Sequence, residues 1–160
     1  MPIPLVPEPL PGPLTEPPSA GLMARGLCRA LAALGYASLA EFPLRNGRRA
    51  DIFALGPSGE FVIVEIKTSP TDFRADRKWA NYPDFADRFY FAVPLGFPTA
   101  LIPEQCGLMV ADAFGAEVLR AGPANPLPAA RRRALTLRFA QIAAARLFRL
   151  LDPEGGAGLS

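Results

Sequence analysis

Between Ser19 and Gly35 the residues Leu22, Met23, Leu27, Leu31 and Leu34 recur every three or four positions. That spacing predicts an amphipathic helix capped by Ser19 and ended by Gly35. The period then shortens to two. Strands are predicted at Leu39–Leu44, at Arg49–Leu55 after the hairpin signal Asn46-Gly47, and at Glu60–Lys67 after the turn Gly56-Pro57-Ser58-Gly59. Thr71 can cap a second helix running to about Asn81, ended by Pro83. Arg88–Val93 is almost wholly apolar and reads as an inner strand. Gly107–Ala111 and Ala116–Arg120 form a last hairpin, and residues 130–151 a long helix. The order α-β-β-β-α-β, with an appended hairpin and C-terminal helix, is an α/β sandwich.

Proline sets the boundaries. Eight of the 19 prolines lie in residues 1–18, a density that supports an extended tail and neither a helix nor an inner strand. Residues 19–151 then form one domain and residues 152–160 a flexible C-terminal tail. The proline-rich tail is a floppy extension or a ligand for a partner protein. No apolar run approaches the ~20 residues that span a bilayer, and the N-terminus lacks the basic flank of a signal helix. The expected compartment is the cytoplasm, with no membrane partner.

Composition narrows the chemistry by two absences. There is no histidine, which removes Ser-His and Cys-His nucleophiles and His-ligated zinc. The two cysteines, Cys28 and Cys106, are too far apart in sequence for a CxxC pair and read as buried free thiols. Any enzyme here works with carboxylates, lysine and an oxygen-ligated metal. Of 17 basic residues only Lys67 and Lys78 are lysine. A net charge of +2 does not by itself identify a nucleic-acid binder.

The third predicted strand carries the strongest chemical signal. Val62, Val64 and Ile66 point to one face, and Phe61, Ile63, Glu65 and Lys67 to the other. If the connection 56–60 joins Leu55 to Phe61, Asp51 stands directly across from Glu65. Like charges opposed on a sheet destabilise it unless something neutralises them. A divalent Mg²⁺ or Mn²⁺ between Asp51 and Glu65 would do so, since both ions take hard oxygen ligands and keep sites for water and phosphate. The Ile66 backbone carbonyl could add a third oxygen. Lys67 could hold the attacking water or stabilise the phosphate.

The arrangement Ala50-Asp51-x13-Glu65-Ile66-Lys67, with a helix on each side, resembles the PD-(D/E)XK nuclease superfamily. Ala50 stands where the superfamily's name has proline. The longer stretch GRRADIFALGPSGEFVIVEIKTSPTDFRADRKWANYPDFADRFYFAV, with the later EQCGLMVADAFGAEVLR, is similar to the MmcB family of bacterial DNA repair proteins. That resemblance covers roughly residues 20 to 150. It implies a restriction-endonuclease-like core, a DNA partner and a bacterial, nucleoid-associated protein. Asp51 and Glu65 would be metal ligands and Lys67 the catalytic lysine.

Further residues each have two readings. Glu41 could supply another metal ligand, but a two-residue turn would pair it with Ile52 and face it away from Asp51. Arg48 and Arg49 either meet phosphates or solvate the turn. Thr68 and Ser69 could orient water or phosphate, or cap the next helix. Arg74 and Lys78 share a face of the second helix beside Asn81 and Tyr82, which suits a strand-contacting surface. The alternative is an ion-paired helix using Asp72 and Asp76, with Trp79 in the core. Arg131, Arg138 and Arg149 align within about 20° on the last helix, either for a polyanion or as a solvated face opposite Leu135, Phe139, Ile142 and Phe148. The leading reading is a metal-dependent deoxyribonuclease acting in repair. A non-catalytic DNA- or protein-binding module on the same fold is the alternative, and a scaffold that never meets DNA the third.

Overall fold

The computed structural model describes residues 16–76 and 79–155. One six-stranded sheet organises them, in the order β1 (Ala37–Pro43), β2 (Arg49–Leu55), β3 (Phe61–Ile66), β4 (Arg88–Val93), β5 (Gly107–Ala111) and β6 (Ala116–Arg120). β1, β2 and β3 form an antiparallel meander, β3, β4 and β5 run parallel, and β6 returns antiparallel. The last hairpin thus extends the main sheet. Helix α1 (Ala20–Ala33) covers one face, capped by Ser19, whose hydroxyl accepts from the Leu22 N–H. Short helix α2 (Pro70–Ala75) and long helix α3 (Ala129–Leu151) belong to the other face. Among the described residues no helix is long and apolar enough to cross a membrane.

Each sheet face buries its own core. Val62, Val64 and Ile66 pack with Ile52, Ala54, Met23, Leu27 and Leu31 beneath α1. Phe61 and Ile63 pack on the opposite side with Phe53, Phe91, Leu135 and Phe139. Phe42, Phe53 and Phe61 stack across three neighbouring strands at 4.2 and 4.8 Å between centroids, and Phe139 of α3 closes the stack. Removing any one ring would cost about 3–5 kcal/mol. Gly26 lets α1 approach the β5–β6 turn, because a Cβ there would stand 1.9 Å from the Asp112 carbonyl oxygen.

Two predicted elements differ. The second helix is capped two residues earlier than expected at Thr71, and it ends far sooner than Asn81. Ser69, not Thr71, caps it by accepting from the Asp72 N–H, because Pro70 suits the first helical position. Asp76 leaves the helix in extended conformation, and single 3₁₀ turns at Trp79–Asn81 and Pro83–Phe85 complete the crossover. The β1–β2 connection is likewise not a two-residue turn. Leu44 accepts from the Gly47 N–H and donates to the Arg48 carbonyl, enclosing Arg45, Asn46 and Gly47, with Gly47 at φ 80°. This three-residue loop shifts the register by one and places Glu41, rather than Phe42, opposite Asp51.

Candidate active site

The shifted register has a consequence in both strands. Ala40 packs on the α1 side while Phe42 packs on the α3 side, and Ile52 and Ala50 divide the same way. Alternation therefore breaks at the facing positions Glu41 and Asp51. Glu41 absorbs the break at φ 52°, a left-handed conformation that is uncommon for a side chain of its size. Arg146 of α3 supports it, donating to the carbonyls of Ala40 and Glu41, the latter at 2.8 Å. Arg138 holds the Pro43 carbonyl at 2.9 Å. Two α3 arginines thus brace the edge of the site.

On the other side of Asp51 the β2–β3 register continues toward Glu65. The pair interlocks through the backbone. The Asp51 N–H donates to Glu65 Oε1 at 3.0 Å, and the Ile66 N–H donates to Asp51 Oδ2 at 2.8 Å. The two carboxyl groups are thereby held side by side, so ionising both at once is opposed. Glu65 is only 4 % exposed. Burial, then the adjacent Asp51 charge, push its carboxyl up to about 9. Burial raises Asp51 as well, against the lowering effect of the Ile66 N–H, the Glu65 hydrogen bond and the Lys67 charge. Two adjacent acids, one buried and one half-buried, form a site that a cation could occupy in place of a proton.

Lys67 follows on the same strand face, 7 % exposed, with its N–H bonded to the Ala92 carbonyl. Its ammonium lies 2.8 Å from Asp76 at the end of α2. It lowers the pKa of both Asp51 and Glu65 from that position. Tyr82 closes the floor, its hydroxyl donating to the Arg49 carbonyl at 3.1 Å. Burial first, then the charges of Glu65 and Asp51, push that phenol up to about 12, so it stays a donor at neutral pH. A cavity of about 360 Å³ opens beside Asp51 and Ile66, walled by Ala24, Arg25 and Cys28 of α1 and by Glu41.

The remaining candidates divide. Glu41 lines the cavity, but its carboxylate pairs with Arg49 at 3.0 Å on the surface. Among the described residues no three Asp, Glu, His or Cys side chains converge as a metal cluster. Arg48 lies close enough to Tyr82 to oppose its pKa shift. Thr68 donates its N–H to Asp72, and Arg74 is exposed on α2. Lys78 lies outside the described residues, as does the proline-rich segment 1–15. Arg131 donates to the Asp84 carbonyl at 2.8 Å and covers the Phe85 ring, so it fastens α3 to the crossover. The aligned arginines are therefore neither all solvated nor all free for a polyanion, and Phe148 is exposed, outside the core.

Asp76 and Tyr82 were not among the expected site residues. A lysine on a buried strand face needs a counter-ion, and Asp76 was the carboxylate that a short Ser-Pro-capped helix would deliver. The sequence sets Tyr82 beside the Arg74–Lys78 surface, whereas the crossover brings its hydroxyl to the Arg49 carbonyl.

The family model for DNA repair protein MmcB-like matches residues 14–154. The chain belongs to the MmcB-like DNA repair family. A solved protein of unknown function from Silicibacter pomeroyi is 45 % identical, with a TM-score of 0.82 over 86 % of this chain and 94 % of that one. No curated protein matches the chain. Membership in the MmcB-like family carries a DNA repair role, and the Asp51–Glu65–Lys67 geometry supplies the candidate chemistry.

Proposed function

We propose that this MmcB-like protein is a metal-dependent nuclease that hydrolyses DNA phosphodiester bonds, built on a restriction-endonuclease-like core. The observation that carries this reading is the backbone interlock that holds the Asp51 and Glu65 carboxyl groups together, with buried Lys67 two residues beyond Glu65. Two hard oxygen donors without histidine or thiolate fit Mg²⁺ or Mn²⁺, which tolerate few protein ligands. Asp51, Glu65 and the Ile66 carbonyl would hold the ion. Bound there, it would supply charge neutralisation at the scissile phosphate and acidify a water.

The chain's own residues do the rest. Asp51 and Glu65 are aimed by backbone N–H donors, so they need little rearrangement when the Glu65 proton leaves. Lys67 turns from Asp76 to the attacking water or a phosphate oxygen as substrate charge arrives. Tyr82 fixes the β2 backbone at Arg49, just before Asp51.

A second reading draws support from the Lys67–Asp76 ion pair. A lysine held at 2.8 Å by a carboxylate also fits a non-catalytic module that binds DNA or a repair protein on the same fold. Incubating the protein with branched, nicked and single-stranded DNA in Mn²⁺ separates the two. Cleavage that disappears in Lys67→Ala supports the nuclease. Binding with no cleavage of any of these substrates favours the module.

A further inference from the structure

Helix α3 carries two apolar faces. Leu135, Phe139 and Ile142 point into the core, with Arg146 on the same side. At about 100° per residue, Leu137, Ala140, Ala144, Leu147 and Leu151 fall on the opposite side, spaced 3-4-3-4. All five are exposed, Leu151 by 77 %. The flanking positions Thr136, Gln141, Ala143, Phe148 and Leu150 carry no charge. A helix apolar on both sides is normally covered on both sides.

We propose that this outer face pairs with the same face of a second copy of the chain, antiparallel. That direction sets Ala140 against Leu151 of the second copy and Ala144 against its Leu147. These two layers each join a small residue to a large one, twice over by symmetry. A parallel in-register pair would stack leucine on leucine and alanine on alanine, and bring two Arg133 side chains together. Charge decides the same way. In that register Glu154 of the second copy arrives at Leu137, one turn along from Arg133, so the antiparallel pair brings opposite charges within reach at each end. A groove of about 430 Å³ at the start of α3, lined by Arg132, Arg133, Thr136 and Leu137, lies where Asp152 and Glu154 of the second copy would arrive.

The test is the mass of the full chain by light scattering and sedimentation from about 1 to about 200 μM, since self-association follows mass action. The mass should rise from 17.1 kDa toward twice that value. Leu147→Glu should raise the dissociation constant about tenfold or more, with unchanged circular dichroism and melting of the monomer. Arg133→Glu should weaken the dimer, and adding Glu154→Arg should restore it. A 17.1 kDa species at every concentration overturns the proposal and leaves the face to another partner or to segment 1–15. A dimer indifferent to Leu147→Glu, or tightened by Arg133→Glu, overturns it too.

Discussion

Lys67 and Asp76 form an ion pair at 2.8 Å whose side chains are 9 % and 16 % exposed. Removing one partner of such a pair leaves a charge out of water without its counter-ion, at a cost of about 3 kcal/mol. Asp76→Ala should therefore lower the unfolding free energy by about that much, read from urea transitions with unchanged slope. The double variant Lys67→Met/Asp76→Leu should recover most of the loss, because paired apolar groups avoid the desolvation cost. A double variant as unstable as the single one would show that the ion pair is not what Asp76 contributes.

The proton that burial and the adjacent Asp51 charge keep on Glu65 makes stability depend on pH with a definite sign. The folded Glu65 carboxyl titrates near 9, against 4.5 when unfolded, so between these values the native state holds the extra proton. Stability from this site is fully present below about 4.5 and declines as pH rises toward about 9. Melting temperature measured from pH 5 to pH 9 should fall, and Glu65→Gln should flatten that fall. A Glu65→Gln profile as steep as that of the wild type would place the proton elsewhere.

Divalent metal should reverse the same trend. An ion bound only by the native state adds about 2.7 kcal/mol at a hundredfold excess over its dissociation constant. Millimolar Mn²⁺ should raise the melting temperature, more at pH 8 than at pH 5, where the ion must displace a tightly held proton. Asp51→Asn and Glu65→Gln should each abolish the increment. A wild-type increment that survives in both variants would put the ion at another site.

Much of this site was legible because it depends on local order. The short connection 56–60 fixes Leu55 opposite Phe61, and period two then carries Asp51 to Glu65. What was not legible depends on contacts far apart in sequence. Asn46-Gly47 marks a hairpin without stating its length, and that one residue decided whether Glu41 or Phe42 faces Asp51. The triple arginine 131–133 suggests a polyanion, yet Arg132 is committed to Asp87 at 2.6 Å and to the Gly59 carbonyl. Arg146 offers no local cue to the carbonyls of Ala40 and Glu41. These arginines act through tertiary acceptors that no short window contains.

Asp87 gives an opposite pH signature. Burial pushes its carboxyl up, but the Arg132 hydrogen bonds and the N–H groups of Phe61 and Leu127 outweigh it and hold the pKa at about 2. Its contribution is present above about 3.8 and is lost as pH falls toward about 2. Asp87→Asn should destabilise the fold at neutral pH by about 3 kcal/mol and remove part of the acid transition. Equal acid midpoints in the variant and the wild type would contradict this assignment.

DNA contact and catalysis should separate in their response to salt. Arg131 and Arg138 are engaged with protein carbonyls, whereas Arg74 is exposed on α2, next to the segment that carries Lys78. Affinity for DNA should fall with salt at about 0.9 in log–log slope per neutralised phosphate. Arg74→Ala and Lys78→Ala should each reduce the slope by about one and weaken all sequences alike, because phosphate contacts carry no base information. Arg138→Ala should leave the slope unchanged and instead loosen β1 from α3. Lys67→Ala should keep binding nearly intact while removing cleavage, since its contribution arises as charge develops in the transition state. Fluorescence anisotropy at several salt concentrations, run beside a Mn²⁺ cleavage assay, reads both effects. Salt-independent binding would deny the phosphate contacts, and cleavage retained in Lys67→Ala would deny the lysine its catalytic part.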